Sequence, residues 1–275
     1  MVKVKQRRGS GSFSISSQAT IHESVVFGPN CSEVAIGHGV RIGRDVYIDV
    51  KHLMIGDYVT IHHGTVLHGE RVSIGHNCWI GHYCILDGHG GSLTIGNNVG
   101  VGAQSQLWSH MKFGDVLAGC RWNQMKALTL EDDVWLVGHC IVTPITAKRR
   151  SMLMVGSTAT RDMEENHVYA GSPARDRTDV FGPQFADPDP VAITRGFEAL
   201  VGEYALQGAD TGFIQVWEEE WPQSPPEGRT LFSPLRRMYF PRYTSEETDF
   251  MRFLLYDRAK FTPLGSSHSP SSISS

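Results

Sequence analysis

Aliphatic residues return every six positions between Ile21 and Asp162. The run reads Ile36-Gly37, Ile42-Gly43, Ile48-Asp49, Ile55-Gly56, Ile61-His62, and it resumes as Ile74-Gly75, Ile80-Gly81, Leu86-Asp87, Ile95-Gly96, Val101-Gly102. A period of six fits neither a helix nor a free-standing strand, so it describes a coil whose corners recur. Each hexad predicts one short strand and one corner, and three hexads complete one turn of a triangular prism. The aliphatic residue fills the interior from a flat face. A small residue four positions later (Val40, Val46, Val59, Thr65, Cys78, Cys84, Val99, Ser105) points inward near the next corner. Glycine follows the aliphatic where the backbone needs room.

The pattern is interrupted at Lys51 to Met54, at Glu70 to Ser73 and at Gly88 to Thr94. Residues beyond the hexad count must be extruded from the coil. The largest interruption follows Leu107: Trp108-Ser109-His110 opens a segment without hexads that lasts to Ala127. The repeat returns near Leu128 and Val134-Trp135-Leu136, and the chain leaves it through Val168-Tyr169-Ala170-Gly171-Ser172-Pro173-Ala174-Arg175. Past Thr178 no hexads remain. Apolar spacing predicts an amphipathic helix over Asp189 to Leu206 and a second from Ser245 to Ala259. The sequence therefore divides into a flexible arm (1–19), a repeat domain (20–178), a helical C-terminal extension (179–264) that would cap the open end, and a disordered tail (265–275).

These hexads and the 133–175 segment resemble the hexapeptide-repeat family. Its fold is an all-β, left-handed parallel β-helix, here with an extruded loop and a largely helical C-terminal extension, and most members are acyltransferases that use acyl-CoA. The match departs from the family at a late corner, where Lys148-Arg149-Arg150 stands in place of the usual Gly-Asp-Gly. The resemblance implies an acetyl-CoA-dependent O- or N-acetyltransferase acting on a carbohydrate, as in polysaccharide biosynthesis. It also implies a homotrimer with interfacial sites, and direct transfer in a ternary complex.

Acyl transfer requires a base for the acceptor's proton, and imidazole titrates in the right range. Of the 13 histidines, His110 opens the large loop, where sugar acetyltransferases of this family carry their catalytic histidine. An Asn that partners the base in some members has no counterpart; Asp87 and His89 lie nearby instead, Asp87 as an orienting carboxylate and His89, with Trp108, as substrate contacts. For the donor, Lys148, Arg149, Arg150 and Arg175 could meet CoA phosphates, and Trp135 matches an aromatic common in the family. No metal is expected in this reading. Three alternatives remain open: antibiotic acetylation, a non-catalytic scaffold, and a site like that of gamma-class carbonic anhydrases, whose zinc histidines include two at the spacing of His63 and His68.

Composition narrows the setting. A net charge of -4 gives no basic face for nucleic acid. The basic N-terminus lacks an apolar run behind it, and no stretch reaches the length of a membrane span, so a cytoplasmic protein is expected. Five cysteines leave no complete disulfide framework. Cys31, Cys78, Cys84 and Cys140 fall on the small-residue position, as interior filler.

Overall fold

The computed structural model describes the backbone of residues 5–6 and residues 11–265. It divides into two compact units, one reaching Phe185 and one beginning at Ala186. The first unit is a parallel β-helix. One face is a sheet whose parallel strands follow one another coil by coil: Thr20–Ile21, Arg41–Ile42, Thr60–Ile61, Trp79–Ile80, Gly100–Val101, Trp135–Leu136, Met152–Leu153 and Val168–Gly171. A second face stacks Val26–Phe27, Tyr47–Ile55, Val66–Ile74, Ile85–Gly88, Gln106–Leu107, Ile141–Val142 and Thr158–Ala159. The third begins with Ser12–Ile15 and Glu33–Ile36 and continues through Leu93–Ile95, Leu128–Leu130 and Thr146–Ala147. Tyr47–Ile55 and Val66–Ile74 run from the second face into the third without a break, which joins those two faces into one sheet.

The interior is the predicted aliphatic column. Ile42 stacks on Ile61, Ile61 on Ile80 and Ile80 on Val101, and residues of all three faces, among them Ile48, Ile55, Leu67, Ile74, Leu86 and Ile95, are fully buried. The small-residue positions are buried with them. The thiols at these positions are structural: Cys78 donates to the Gly96 carbonyl (3.0 Å) and Cys84 to that of Gly102 (3.4 Å). Burial pushes the Cys84 thiol up to about 11, so it stays protonated and unreactive at neutral pH. All five cysteines are free.

Two of the three corners are tight turns that use the left-handed region. Asp45, Tyr83, Gln104 and His139 take it between the first and second faces, and Tyr58, Asn77, Asn98, Asp133, Arg150 and Asn166 between the third and the first. Polar side chains lace the coils together along the latter corner. His38 N–H donates to Asp57 (2.7 Å), Asp57 N–H to His76 Nδ1 (2.9 Å), His76 N–H to Asn97 (2.9 Å) and Asn97 N–H to Asp132 (2.6 Å). Each coil thus satisfies a corner amide that its neighbour would otherwise leave buried and unpaired. Among the described residues, the remaining corner, between the second and third faces, places no residue other than glycine in the left-handed region. The interruptions at Gly88 to Thr94 and after Leu107 fall at this corner, whereas those at Lys51 to Met54 and Glu70 to Ser73, expected to be extruded, are taken up inside the unbroken strands Tyr47–Ile55 and Val66–Ile74, which pair in register.

Two boundaries differ from the sequence reading. Within the arm expected over residues 1–19, the described segments already pair with the coil: Ser12–Ile15 with Glu33–Ile36, and Lys5–Gln6 with Val26–Phe27. Phe13 and Ile15 pack on the core and Ala19 joins it, but their hexad is too short and polar to show as a repeat. The C-terminal unit contains the two expected helices, Pro190–Leu206 and Ser245–Leu254, and in addition a four-stranded sheet built from Ile214–Val216, Thr230–Ser233, Met238–Phe240 and Thr262–Pro263. It has its own aromatic core, in which Phe197, Phe232, Phe250 and Phe261 meet ring to ring. The second helix starts on a Thr-x-x-Glu cap: Thr244 accepts the Glu247 N–H, and Glu247 reaches back to the N–H groups of Arg242 (2.8 Å) and Tyr243 (3.0 Å). Among the described residues no helix is long and apolar enough to cross a membrane. Residues 266–275, most of the expected tail, lie outside the described residues.

The stack makes a direct prediction about stability. Ile74 is fully buried and pairs with Ile55 on one side and Ile95 on the other, so Ile74→Ala should destabilise the unit by about 2–5 kcal/mol, read from denaturant unfolding.

Candidate active site

The corner that releases the insertions also gathers the candidate residues. Asp49, His68 and Asp87 occupy equivalent places in three successive coils, paired in register across the second face. Asp87 sits near the end of the strand Ile85–Gly88 and its side chain is fully buried. Burying a carboxylate is costly unless donors surround it. Here Oδ1 accepts the His89 N–H (3.0 Å), and Oδ2 accepts the Ser109 N–H (3.0 Å) and the Ser109 hydroxyl (3.1 Å). His110 completes the shell, with Nδ1 2.6 Å from Oδ2. Burial pushes the Asp87 carboxyl up, but the hydrogen bonds from His110, His89 and Ser109 outweigh it and leave the group below the usual carboxylate range. Asp87 is a carboxylate at neutral pH.

His110 is the first residue of an antiparallel ribbon, His110–Lys112 against Asn123–Met125, that forms the base of the extruded loop. With Nδ1–H given to Asp87, its Nε2 keeps a free lone pair, and its side chain is about one quarter exposed (26%). An imidazole aligned through Nδ1 by a buried carboxylate has the chemistry to accept a proton at its other nitrogen. Trp108 and His89 flank it with ring centroids 6.0 Å and 5.6 Å from that of His110. His68 stands on the far side of Asp87, with Nδ1 3.7 Å from Oδ1 and its ring 5.8 Å from that of His89. Burial lowers the affinity of His68 for a proton, against the pull of Asp87. A groove of ≈ 530 Å³ continues from His68 and His89 along this corner and is lined by Asn30, Asp49, Lys51 and Glu70.

The four residues placed at the reacting end by sequence therefore converge: His110, Asp87, His89 and Trp108. Two participants were missed. Ser109 was read only as part of a tripeptide, yet its amide and hydroxyl hold the carboxylate while its own Oγ accepts the Gly90 N–H (2.7 Å). A Cβ at Gly90 would collide with the Ser109 carbonyl oxygen, so glycine is what lets coil and loop approach. His68 was weighed as a zinc ligand with His63 rather than as a neighbour of Asp87. The signal was the repeat of nearly equal coil lengths from Asp49 through His68 to Asp87.

The donor-side candidates stand elsewhere on the solenoid. Trp135 is exposed on the first face, beside Gly100, and Lys148, Arg149 and Arg150 turn the corner between the third and first faces. Lys148 pairs with Glu164 (2.6 Å) and Arg149 with Glu165 (3.1 Å), while Arg150 lies over the Phe185 ring. Arg175 is exposed on the strand Ala174–Asp176. Within one chain these groups do not reach the corner of His110. Nor do His63 and His68 converge within a chain: His63 Nδ1 is 2.8 Å from His82 Nδ1 on the preceding corner.

No protein-family model matches the chain. An 88-residue stretch is 35% identical to a UDP-3-O-acylglucosamine N-acyltransferase of Campylobacter curvus, covering 30% of this chain and 26% of that protein. The chain thus matches only a minor part of that relative's length. Among solved structures, the polysialic acid O-acetyltransferase OatWY is similar at 15% identity and a TM-score of 0.46, over 68% of this chain and 92% of that one. The polysialic-acid-specific acetyltransferase NeuO is similar at 15% identity and a TM-score of 0.42, over 75% and 98%. A variant of AntD, an N-acyltransferase from Bacillus cereus bound to dTDP-4-amino-4,6-dideoxyglucose and coenzyme A, is similar at 15% identity and a TM-score of 0.40, over 68% and 87%.

The carboxylate's shell can be tested without an assay. Ser109→Ala removes the hydroxyl that donates to Asp87 and accepts from Gly90, and should cost about 1–3 kcal/mol because the groups left behind are buried. Thermal unfolding measures the loss, and a change in the exchange rate of the Gly90 amide locates it.

Proposed function

We propose that the chain is an acyl-CoA-dependent acyltransferase, most simply an acetyltransferase, acting on a hydroxyl or amine of a carbohydrate. The observation that carries this reading is the His110–Asp87 pair, next to His68 and His89, which line a groove of hydrogen-bonding groups. The short relative's name, an acyltransferase for a sugar nucleotide, supports the same class. Asp87 holds the His110 ring in the tautomer whose Nε2 is unprotonated. As the acceptor oxygen or nitrogen attacks the thioester carbonyl, its proton passes to Nε2, and the buried carboxylate stabilises the imidazolium that forms. Collapse of the tetrahedral intermediate breaks the C–S bond. The thiolate of CoA leaves and takes up the proton from His110, which restores the base. No covalent acyl-enzyme is needed, because the thiolate is already a good leaving group.

The acceptor lies in the groove beside His68 and His89, where Asn30, Asp49, Lys51 and Glu70 offer donors and acceptors suited to a polyhydroxylated ring. Trp135, Lys148, Arg149, Arg150 and Arg175 serve the donor of an adjacent subunit. Lys148–Glu164 is a solvent-screened surface ion pair, so a phosphate can displace the glutamate. The assembly is a homotrimer, whose closed symmetry covers the apolar side chains that one chain leaves exposed: Tyr47, Trp135 and Ile141 on its faces, and Phe113, Leu117 and Trp122 on the loop. Light scattering should give three times the chain mass, and a stable monomer would remove the intersubunit donor site. Five free thiols suit the reducing cytoplasm, where the reaction is placed.

The decisive experiment measures thiol release from acetyl-CoA with sugar nucleotides, free sugars and antibiotics as acceptors. Activity confined to a non-sugar acceptor would move the substrate class and leave the reaction. His110→Ala should lower turnover by about two to four orders of magnitude, with acetyl-CoA affinity by calorimetry nearly unchanged. Near-normal turnover in that variant would reject the base assignment.

A further inference from the structure

Only one oxygen of Asp87 is used by the loop. Oδ2 takes the Ser109 amide, the Ser109 hydroxyl and His110, whereas Oδ1 takes only the His89 amide among the bonds described above. Facing Oδ1 are two imidazoles from successive coils, His68 and His89. The ligand atoms of His68, Asp87 and His89 all lie within 4.8 Å of one another. His68 Nδ1 is 3.7 Å from Oδ1, too long for a hydrogen bond. A tetrahedral zinc ion with ligands at about 2.0–2.1 Å holds them about 3.3–3.5 Å apart, so a small contraction brings this pair to the edge of such a polyhedron.

The geometry points to a binding site for a divalent transition cation of the Zn2+ class, held by His68, Asp87 and His89. Two imidazoles and one carboxylate are the donor set that zinc prefers over calcium or magnesium, which take oxygen ligands. The carboxylate is fixed from behind by Ser109 and His110, the kind of outer contact that orients a metal ligand. His68 is anchored on the solenoid strand Val66–Ile74. His89, exposed on the corner, can close on the ion at little cost. The fourth position opens toward the groove at Asp49 and Glu70, where water or an oxygen of a bound molecule completes the tetrahedron. This set lies within one chain and does not include His63.

The ion and the base share one carboxylate. A cation on Oδ1 draws charge from Oδ2 and disfavours the imidazolium at His110, so occupancy should inhibit acyl transfer; this consequence, unlike the binding itself, rests on the function proposed above. Calorimetric titration of the metal-stripped full chain with Zn2+ should give one ion per chain. Titration with Co2+ should give the visible absorption of a tetrahedral nitrogen- and oxygen-ligated ion. His68→Ala and His89→Ala should each weaken Zn2+ binding about 10-fold or more, and His89→Ala, at an exposed position, keeps the fold. His110→Ala should retain binding. No saturable Zn2+ binding, affinity unchanged in His89→Ala, or affinity lost in His110→Ala but kept in His68→Ala would each overturn the site. Absence of any transferase activity would instead defeat the proposed function and leave these binding measurements standing.

Discussion

Each coil must lay its backbone on the coil before it while sending one aliphatic residue per face into a shared interior, and the rest of the structure follows from that double requirement. The backbone part is a continuous ladder, of the type Gly37 N–H to the Ile55 carbonyl (2.9 Å), Gly56 to Ile74 (2.8 Å), Gly75 to Ile95 (2.8 Å) and Gly96 to Leu130 (2.7 Å). The interior part admits no extra residue, because one inserted position would turn an aliphatic side chain outward and a polar one inward. Added chain is therefore taken up at a corner, the one not already committed to a left-handed tight turn, either by running two faces together, as in Tyr47–Ile55 and Val66–Ile74, or by leaving as a loop, as after Leu107. Asp49, His68 and Asp87 stack in register beside that corner, and the large loop leaves next to them. That is why Asp87, His68 and His110, far apart in sequence, meet.

What could be read from the sequence is what this constraint writes into it. The six-residue period records the coil and the buried thiols, since each is a direct trace of an inward position, and it marks where the count is interrupted, but not that the extra residues at Lys51 to Met54 and Glu70 to Ser73 lengthen strands instead of forming loops. His110 and Asp87 were visible because an insertion began and a corner glycine was missing at those points. Ser109 was not, because its role depends on a hydroxyl pointing back across the chain to a neighbouring coil, and nothing in its own hexad marks that. His68 was obscured by a local spacing to His63 that the fold spreads over two corners. The sheet of the C-terminal unit also left little trace: its strands Ile214–Val216, Thr230–Ser233 and Met238–Phe240 are too short for alternation to rise above the background, and their stability comes from a shared aromatic core that is assembled only in three dimensions.

The buried carboxylates of the two units show how burial alone does not define chemistry. Glu247 is as fully buried as Asp87 and is also surrounded by donors, from Thr230 and the amides of Arg242 and Tyr243. Its burial pushes the carboxyl up, whereas the shell around Asp87 pulls that group down. The difference lies in the partner. Glu247 closes a helix start, held by the Thr230 hydroxyl and two backbone amides, so its work is finished in the fold. Asp87 meets a partly exposed imidazole, and a proton accepted on its second nitrogen would change the charge next to the carboxylate. Only the second arrangement can couple a buried charge to a reaction.

That coupling also explains why the solenoid places two more imidazoles beside the same acid. A carboxylate has two oxygens with distinct neighbours, and a stacked corner supplies one neighbour from each coil. The loop claims one oxygen through Ser109 and His110, and the coils claim the other through His68 and His89. Whatever binds on the coil side acts on the base through the carboxylate, without touching it. The groove lined by Asp49 and Glu70 also reaches His68 and His89, so a charged group entering it would alter the electrostatics of His110 through the same oxygen. The repeat thus sets more than the shape of the site: by fixing which coil faces which oxygen, it keeps the His110 side of the carboxylate apart from the His68 and His89 side that borders the groove.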